Sequence, residues 1–339
     1  MRTTALLAVC TLAASATHAQ PFEFVVSEYS LGGSELVRFG GAGEDSGLAN
    51  WALELGPTGD VYVIQDGMSA PSSNLGEVNR YTRAGSLVET TSFAALNSSD
   101  RRLTGLDFDN TGNMYVSSTN GIGPIGTDDT RGSIFRVDAN SNVITRLQPF
   151  GSSVEYNDIA ISENDRIYAS SWRGSFTGDD QMLETNSVGA NLNSFSNTGN
   201  SVFHLDMDIG PIGDKVVTLT RNNGDQSTGR GWRIFSPAGA TTSVVNLGGI
   251  DDYSFVGLEV DNFDTLWTYN LATDSVERYT LNGTLLESHF IPDVNNFLTD
   301  FTMTPEGTAM FTYRVQVPAP ATAMTLLASG LIASRRRRS

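Results

Sequence analysis

The sequence contains almost no cysteine, lysine or histidine. Cys10 is the only cysteine, Lys215 is the only lysine, and histidine occurs three times in 339 residues. A single cysteine cannot form an intramolecular disulfide, and its position near the N-terminus leaves the rest of the chain without a thiol nucleophile or a cysteine metal site. No Gly-x-Ser-x-Gly motif accompanies His204 or His289, so the sequence gives no support to a serine hydrolase triad.

Positive charge is also scarce in the body of the chain. Without residues 1–19 and 317–339, 16 basic side chains stand against 38 acidic ones, which gives a net charge of −22. This charge repels phosphate backbones and anionic lipid headgroups, so the body is not expected to bind nucleic acid or a membrane surface. Cations, sugars and basic partners remain open as ligands. With 39% apolar residues, the chain can bury a core in one large or two ordinary domains.

The N-terminal segment has the layout of a cleaved signal peptide. Arg2 precedes an apolar run from Ala5 to Ala14, and small residues lead to Ala19 before Gln20. This order predicts a signal peptide over residues 1–19, with cleavage between Ala19 and Gln20. An uncleaved anchor is the alternative, but the apolar run is far shorter than the roughly 20 residues needed to span a bilayer.

The C-terminal segment has three parts in a fixed order: a proline-containing motif, an apolar stretch and a block of arginines. They are Val317-Pro318-Ala319-Pro320, residues 323–333, and Arg335, Arg336, Arg337 and Arg338. The prolines end the preceding strand, the apolar stretch is predicted to enter the membrane as a short helix, and the arginines are expected to stay cytoplasmic. A short tail anchor with a stop-transfer block is the alternative.

This three-part layout resembles the PEP-CTERM sorting domain, also called the ice-binding protein C-terminal domain. The resemblance covers residues 317–339, with Ala319 in place of the family's usual glutamate. It implies processing by an exosortase and a transient or retained membrane anchor. The protein is therefore expected to cross the inner membrane and to reach the cell surface or the extracellular space.

A hairpin motif recurs along the body. The segment Leu53–Val63 is repeated as Leu106–Val116, with the same alternation of apolar residues and the same turn. Weaker copies begin at Ile159, Leu205, Leu258 and Phe301, so the spacings are 53, 53, 46, 53 and 43 residues. Alternation with a period of two predicts strands, and a superperiod near 50 residues predicts the blades of a propeller.

A second hairpin follows most copies, which predicts four strands per repeat. These hairpins are Glu77 to Phe93, Ser133 to Leu147, Trp232 to Leu247 and Ser275 to Phe290. The third repeat has no clear second hairpin in the Ser-, Asn- and Gly-rich stretch from Phe176 to Asn200, which is therefore predicted to be a long loop or a distorted blade.

The last repeat ends near Val315 after two strands, while the hairpin Glu23 to Phe39 has no repeat of its own. Joining them closes the ring and leaves no open sheet edge. The sequence thus predicts an all-β, six-bladed β-propeller over residues 20–316, closed by N- and C-terminal strands. The turns resemble those of NHL and gluconolactonase-type propellers. Two β-sandwiches would share much of the strand pattern but not its superperiod.

Polar residues that precede the repeats are expected to converge on the central channel. They are Asn50, Thr104, Asn157, Asp158, His204 and Asp300. The resemblance to gluconolactonases implies a divalent metal held there by Glu, Asn and Asp oxygens, with Ca²⁺ or Mg²⁺ as candidates and Asn157, Asp158 and Asp300 as the nearest match. However, no glutamate is evident in the set, and Asn and Asp are common in turns. No catalytic, cofactor or metal residue is therefore assigned.

Two other sets of residues have structural interpretations. The segments Asp107–Gly112 and Glu259–Asn262 superficially match calcium loops but are interpreted as solvated turns, because neither has the downstream glutamate of an EF-hand. The aromatic residues at one repeat position are predicted first to pack between blades, with a sugar-stacking surface as the more distant alternative. They are Tyr62, Tyr115, Tyr168, Trp267 and Phe311.

Two functions follow as hypotheses. The first is a non-enzymatic propeller of the cell surface or extracellular matrix, with an unidentified polysaccharide or protein partner. The second is a divalent-metal-dependent, lactonase-like hydrolase with its site at the channel mouth. The two are distinguished by whether three or more carboxylate and amide oxygens meet at one point of the channel.

Overall fold

A computed structural model describes residues 22–40, 48–67, 76–93, 102–119, 132–147, 155–172, 181–196, 202–212, 215–222, 230–247, 255–292, 294 and 298–316. Secondary structure in these ranges consists of strands, and none of it is a helix able to cross a membrane. The chain divides into two units. One unit is Glu23–Val315, and the other consists of Met1–Phe22 and Gln316–Ser339. The predicted signal peptide and sorting tail lie outside the described residues.

The strands are β1 (Phe22–Ser30), β2 (Glu35–Phe39), β3 (Leu48–Leu55), β4 (Val61–Gly67), β5 (Glu77–Tyr81), β6 (Leu87–Ser92), β7 (Arg102–Phe108), β8 (Met114–Thr119), β9 (Ser133–Val137), β10 (Ile144–Leu147), β11 (Glu155–Ile161), β12 (Arg166–Trp172), β13 (Gln181–Asn186), β14 (Asn191–Ser196), β15 (Val202–Gly210), β16 (Lys215–Asn222), β17 (Arg230–Phe235), β18 (Thr241–Asn246), β19 (Phe255–Val260), β20 (Thr265–Asn270), β21 (Ser275–Thr280), β22 (Leu285–Phe290), β23 (Leu298–Met303) and β24 (Thr308–Gln316).

These strands form six antiparallel sheets of four strands each. Blades 1 to 5 are β3–β6, β7–β10, β11–β14, β15–β18 and β19–β22, and blade 6 has the order β23, β24, β1, β2. The prediction of a six-bladed β-propeller closed by strands from both ends of the body is confirmed.

The core lies between the blades. The described buried residues form six hydrophobic clusters, and each cluster is shared by two neighbouring blades. The outermost strands alternate between exposed and half-buried residues, as in β22, whereas its neighbour β21 is largely buried. This difference follows from position, because an inner strand has a blade against each face while the outermost strand borders solvent.

Blade 6 is completed by the N-terminal hairpin. β1 lies between β2 and β24, so a strand from the start of the body is hydrogen bonded to the strand that ends it. The hydroxyl oxygens of Tyr29 and Tyr313 lie 3.1 Å apart, and Glu28 accepts hydrogen bonds from Arg83 at 2.6 Å and from Thr308. The closing hairpin is therefore tied to β24 and to blade 1.

Glycine makes room for this hairpin. Gly85 lies in the β5–β6 turn with φ +85°, and a Cβ atom there would lie 2.4 Å from the Cβ of Phe39. Both the left-handed backbone and the close approach of β2 thus require a residue without a side chain.

The third blade corrects the sequence interpretation. The stretch from Phe176 to Asn200 contains a regular hairpin, β13 and β14, and not only a loop. Met182 and Leu183 are buried, and Gly189 supplies a turn residue at φ +80°. The hairpin was missed because its outer strand, Asn191–Ser196, is mostly polar and gives no apolar alternation.

The closing hairpin should contribute strongly to stability. Phe24 in β1 is 0% exposed, so Phe24→Ala is expected to lower the free energy of unfolding by about 3–5 kcal/mol, because it leaves a cavity in the core. Urea denaturation of the full chain measures this change.

The matched control is Leu36→Ala in β2 of the same hairpin. Leu36 is 55% exposed, so its truncation is expected to change the free energy of unfolding by less than about 0.5 kcal/mol. Equal effects of the two variants would contradict a closing role for β1.

Candidate functional site

The inner strands of the blades present two layers of residues to the central channel. Each strand contributes a residue to the first layer and, two positions later, a residue to the second layer, because side chains two apart share a face of a strand. The first layer is Ala52, Gly105, Asp158, Asp206, Gly257 and Asp300, and the second is Glu54, Asp107, Ala160, Asp208, Glu259 and Thr302. The seven carboxylate side chains of these layers line one cavity of about 180 Å³.

Most of these carboxylates bind the inner strand of the next blade around the ring. The carboxylates of Asp107, Asp158, Asp208 and Asp300 accept hydrogen bonds from the backbone amides of Ile161 (2.5 Å), Met207 (2.7 Å), Val260 (2.5 Å) and Leu53 (2.7 Å), respectively. Asp206 accepts one from the Leu258 amide, and Glu259 accepts one from the Thr302 hydroxyl (2.8 Å). In blade 2, Thr104 takes the equivalent role and donates to the Tyr156 carbonyl at 2.9 Å. The acidic residues are thus links between blades.

Asp158 and Asp206 are also hydrogen bonded to each other. A hydrogen bond between two carboxyl groups needs a proton on one of them. The pKa of Asp158 is raised by burial, then by the charge of Asp206 and then by this hydrogen bond. In Asp206, burial raises the pKa and the same hydrogen bond lowers it. The negative charge of Asp300 also raises the pKa of Asp158.

Burial raises the pKa of every carboxyl group in the cavity. It raises the pKa of Asp107 to about 8 and the pKa of Asp208 to about 7, against the opposing hydrogen bonds from backbone amides. The pKa values of Glu54, Glu259 and Asp300 lie well above the ordinary range for the same reason, with neighbouring negative charges adding to the effect. Several of the seven groups are therefore expected to be protonated near neutral pH.

The size of the cavity limits what it can hold. At roughly 30 Å³ per water molecule, a volume of about 180 Å³ corresponds to about six waters. Ligand pockets usually measure about 300–1,000 Å³, so the cavity has room for water or a small cation but not for a sugar ring with its neighbours. Within the described ranges, no group of three or more His, Cys, Asp and Glu residues is placed to hold a metal ion.

Only some of the predicted channel residues line the cavity. Asp158 and Asp300 meet in the cavity, as expected, whereas Asn157 does not line it. Thr104 is used between blades 2 and 3. The side chains of Asn50 and His204 lie outside the described residues, so their predicted convergence stays a prediction.

Three sequence interpretations are wrong at this site. Asp107 and Glu259 face the channel and are not parts of solvated turns, whereas Asp109 and Asp261 do cap their turns, for example by accepting the amides of Thr111 and Phe263 at 2.9 Å. Glutamate is present in the channel, as Glu54 and Glu259. The fourth repeat starts at Met207 and not at Leu205, because a bulge between His204 and Asp206 shifts its register.

The acidic residues of the channel do have a signal in the sequence. The signal was the acidic residue that follows the apolar residue at the start of four repeats, namely Glu54, Asp107, Asp208 and Glu259. Period-two alternation places such a residue on the face opposite the blade core, and in the innermost strand that face is the channel. The alternation shows that these side chains share a face of each strand, but it does not show whether that face borders the channel or the solvent.

The repeated aromatic position is mostly buried. Tyr115, Tyr168 and Phe311 are completely buried and Trp267 nearly so, which confirms their packing role. Tyr62 differs, because its side chain remains partly exposed in blade 1. His289 is half-buried on β22, with its Nε2 atom 3.1 Å from a Glu287 carboxylate oxygen.

Comparison with known proteins supports the fold. No family model matches the chain, and no curated protein matches its sequence. Among solved structures, virginiamycin B lyase from Staphylococcus aureus is similar over 88% of this chain and 90% of its own, with 13% identity and a TM-score of 0.54. An α-L-arabinofuranosidase of Fusarium graminearum in complex with an iminosugar inhibitor is similar over 80% of this chain and 94% of its own, with 10% identity and a TM-score of 0.57.

An α-L-arabinanase of Penicillium chrysogenum complexed with arabinobiose is also similar, over 78% of this chain and 93% of its own, with 11% identity and a TM-score of 0.54. These neighbours are six-bladed propeller proteins, and their low identity establishes the fold alone. The chain therefore has a β-propeller fold that resembles those of lyases and glycoside hydrolases.

The channel carboxyl groups should make stability depend on pH. Their pKa values are higher in the folded protein than in the unfolded chain, where Asp titrates near about 3.9. The folded state therefore holds extra protons, and their stabilising effect is present below pH 4 and is lost as the pH rises through about 7 and 8, the pKa values of Asp208 and Asp107. The midpoint of thermal unfolding, measured with a chelator present, is expected to fall by several degrees between pH 5.5 and pH 8.5.

Replacing both groups by amides isolates the cause. The double variant Asp107→Asn with Asp208→Asn is expected to lose part of this pH dependence, up to about 1.4 kcal/mol per pH unit for each of the two protons, while the five other channel carboxyl groups keep their contribution. Asp138→Asn is the control, because Asp138 lies in an exposed turn where hydrogen bonds from Ser141 and from backbone amides lower its pKa. An unfolding midpoint that rises from pH 5.5 to pH 8.5 would contradict the assignment.

Proposed function

We propose that this protein is exported and acts as a non-enzymatic β-propeller at the cell surface or in the extracellular matrix. The observation that carries the proposal is the use of the channel carboxylates as links between blades. Asp107, Asp158 and Asp300 each accept a backbone amide of the next inner strand at 2.5–2.7 Å. Such bonds fix the carboxylates in place as parts of the scaffold.

The dimensions of the channel agree with this role. A cavity of about 180 Å³ is smaller than the usual range of about 300–1,000 Å³ for ligand pockets. A substrate the size of a disaccharide would have to displace the links themselves. We therefore assign ligand binding to the outer surface of the propeller and a structural role to the channel.

Export and sorting rest on the two ends of the sequence. Residues 1–19 have the order of a signal peptide, and residues 317–339 have the order of an exosortase-processed tail. The partners proposed for this step are an exosortase-type enzyme and, before processing, the membrane that holds the apolar stretch.

Processing at both ends is directly testable. When the full chain is produced in a bacterium that has an exosortase, the mature protein is expected to begin at Gln20 and to lack the Arg335–Arg338 block. Intact-mass spectrometry of the released protein measures both ends. Ala19→Arg is expected to block the first cleavage, because a signal peptidase site needs a small residue at that position.

The tail has its own variants. Replacing Pro318 and Pro320 by alanine together is expected to keep the protein in the membrane fraction, whereas Thr322→Ala serves as the matched control. Ala319→Glu restores the usual family motif and is expected to be released at least as well as the parent. Equal release from a strain without exosortase would refute the sorting proposal and would leave the signal peptide untouched.

The second candidate is a divalent-metal-dependent, lactonase-like hydrolase. It is favoured by one observation, which is that Asp158, Asp206 and Asp300 line the same cavity. A metal ion there would have to displace protons from these groups, whose pKa values are raised by burial, since a ligating carboxylate must be ionised. Ca²⁺ and Mg²⁺ are the suitable ions for such oxygen ligands.

Calorimetric titration with Ca²⁺, Mg²⁺ and Mn²⁺ separates the two functions. The non-enzymatic proposal expects no saturable heat at pH 7, because the channel oxygens are engaged with amides and protons. Saturable binding that disappears in Asp158→Asn but persists in the exposed-turn variant Asp138→Asn would favour the hydrolase instead.

A further inference from the structure

A groove separates blades 1 and 2 on the outside of the propeller. It has a volume of about 490 Å³ and is lined by the β3–β4, β7–β8 and β9–β10 turns and by parts of β4, β5 and β6. This volume lies within the usual range of about 300–1,000 Å³ for small-molecule sites. The groove shares no lining residue with the channel cavity.

Tyr62 in this groove departs from the pattern of its repeat. In blades 2 and 5 the equivalent aromatic side chain donates to an aspartate, Tyr115 to Asp109 at 3.1 Å and Trp267 to Asp261 at 3.2 Å. In blade 1 the place of that aspartate is taken by Gly56. The Tyr62 hydroxyl has no hydrogen-bond partner among the described residues, and the half-buried Tyr62 side chain lines the groove.

The Tyr62 ring is held in a defined position. Its Cε2 atom lies 2.3 Å from where a Cβ atom of Gly56 would be, so this side of the ring packs closely against the glycine. Phe108 packs against the ring in a T-shaped contact, with the two ring centroids 4.7 Å apart. The guanidinium carbon of Arg80 lies 5.8 Å from the centroid and is itself fixed by Asp60 at 2.5 Å. An aromatic surface that is already immobilised loses little entropy on binding.

Polar groups without partners surround this ring. Like the Tyr62 hydroxyl, the Thr91 hydroxyl and the Asn140 side-chain amide line the groove and have no hydrogen-bond partner among the described residues. The charged side chains nearby are engaged, since Arg80 binds Asp60 and Glu89 accepts a hydrogen bond from Asn142 at 2.8 Å. The groove thus combines an aromatic side chain with neutral hydrogen-bond donors and acceptors.

We infer that the groove between blades 1 and 2 binds a neutral saccharide unit, with its apolar face on Tyr62 and its hydroxyls on Thr91 and Asn140. An aromatic ring with a polar rim matches a sugar, which has an apolar face and a hydroxyl-bearing edge. An anionic ligand is disfavoured by Glu89 and Asp138 in the lining and by the net charge of −22 on the body. The inference goes beyond the proposed function and does not depend on export.

Calorimetric titration of the full chain with neutral oligosaccharides tests this site. The probes are the tetrasaccharides of the malto, cello, xylo and arabino series, each up to 10 mM, with oligogalacturonate as the anionic comparison. At least one neutral probe is expected to bind and the anionic probe is not. Tyr62→Ala is expected to weaken the affinity at least tenfold, and Tyr62→Phe, which keeps the ring, by less.

The matched control is Phe263→Ala in the β19–β20 turn. Phe263 is 75% exposed and has the guanidinium carbon of Arg278 5.9 Å from its ring centroid, so it reproduces the pairing of Tyr62 with Arg80 outside the groove. Its truncation is expected to leave the affinity unchanged. If Tyr62→Ala does not fold, as judged by its thermal unfolding, Thr91→Trp provides a second variant that fills the groove and is expected to abolish binding.

Four results would overturn the inference. They are no binding of any neutral probe at 10 mM, binding that survives both Tyr62→Ala and Thr91→Trp, equal loss of binding in Phe263→Ala, and tighter binding of the anionic probe. Binding of the apolar dye ANS that is lost in Tyr62→Ala, without binding of a saccharide, would instead identify an apolar occupant. None of these results bears on the processing of the two termini.

Discussion

The pairing of β1 with β24 is the interaction on which the rest of the structure depends. A blade in this fold buries both of its faces only when it has a neighbour on each side, as the six clusters between blades show. Two of those clusters need blade 6, and blade 6 is complete only when β1 joins the sheet. The tyrosine pair Tyr29 and Tyr313 and the charged contact of Glu28 with Arg83 reinforce this junction.

The acidic channel is a consequence of closing the ring. Each innermost strand has a free edge whose amides have no partner within their own sheet, and buried amides of this kind need an acceptor. Carboxylates from the preceding blade supply it, as Asp300 does for Leu53 and Asp158 for Met207. The arrangement buries these carboxyl groups and brings several of them close together, so their pKa values are raised first by burial and then, for groups such as Glu54 and Glu259, by neighbouring negative charges. The same carboxyl oxygens therefore link the blades and determine the chemistry of the channel.

The sequence was sufficient for the fold because its information is periodic. Turn residues and alternation recur near every 50 residues, and they define the blades and the closing hairpin. The second hairpin of blade 3 is not predicted by the sequence because Asn191–Ser196 is mostly polar. The register of β15 is not predicted because its bulge adds a residue without a sequence signal. Asp107 and Glu259 were placed in turns since alternation fixes which residues share a face but not which face borders the channel. Tyr62 occupies the same repeat position as the buried aromatic residues, and only the structure shows that its side chain stays partly exposed.

The separation in sequence of the closing strands also determines when the molecule becomes complete. Tyr29 and Tyr313 are 284 residues apart, so their contact must wait until nearly the whole body has been synthesised. Until then, blade 1 and the N-terminal hairpin have formed neighbours on one side only, and β1 carries an unpaired edge that could recruit a strand from another chain. During synthesis, the exposed edge of β1 is thus a site for aggregation until β24 is available to pair with it.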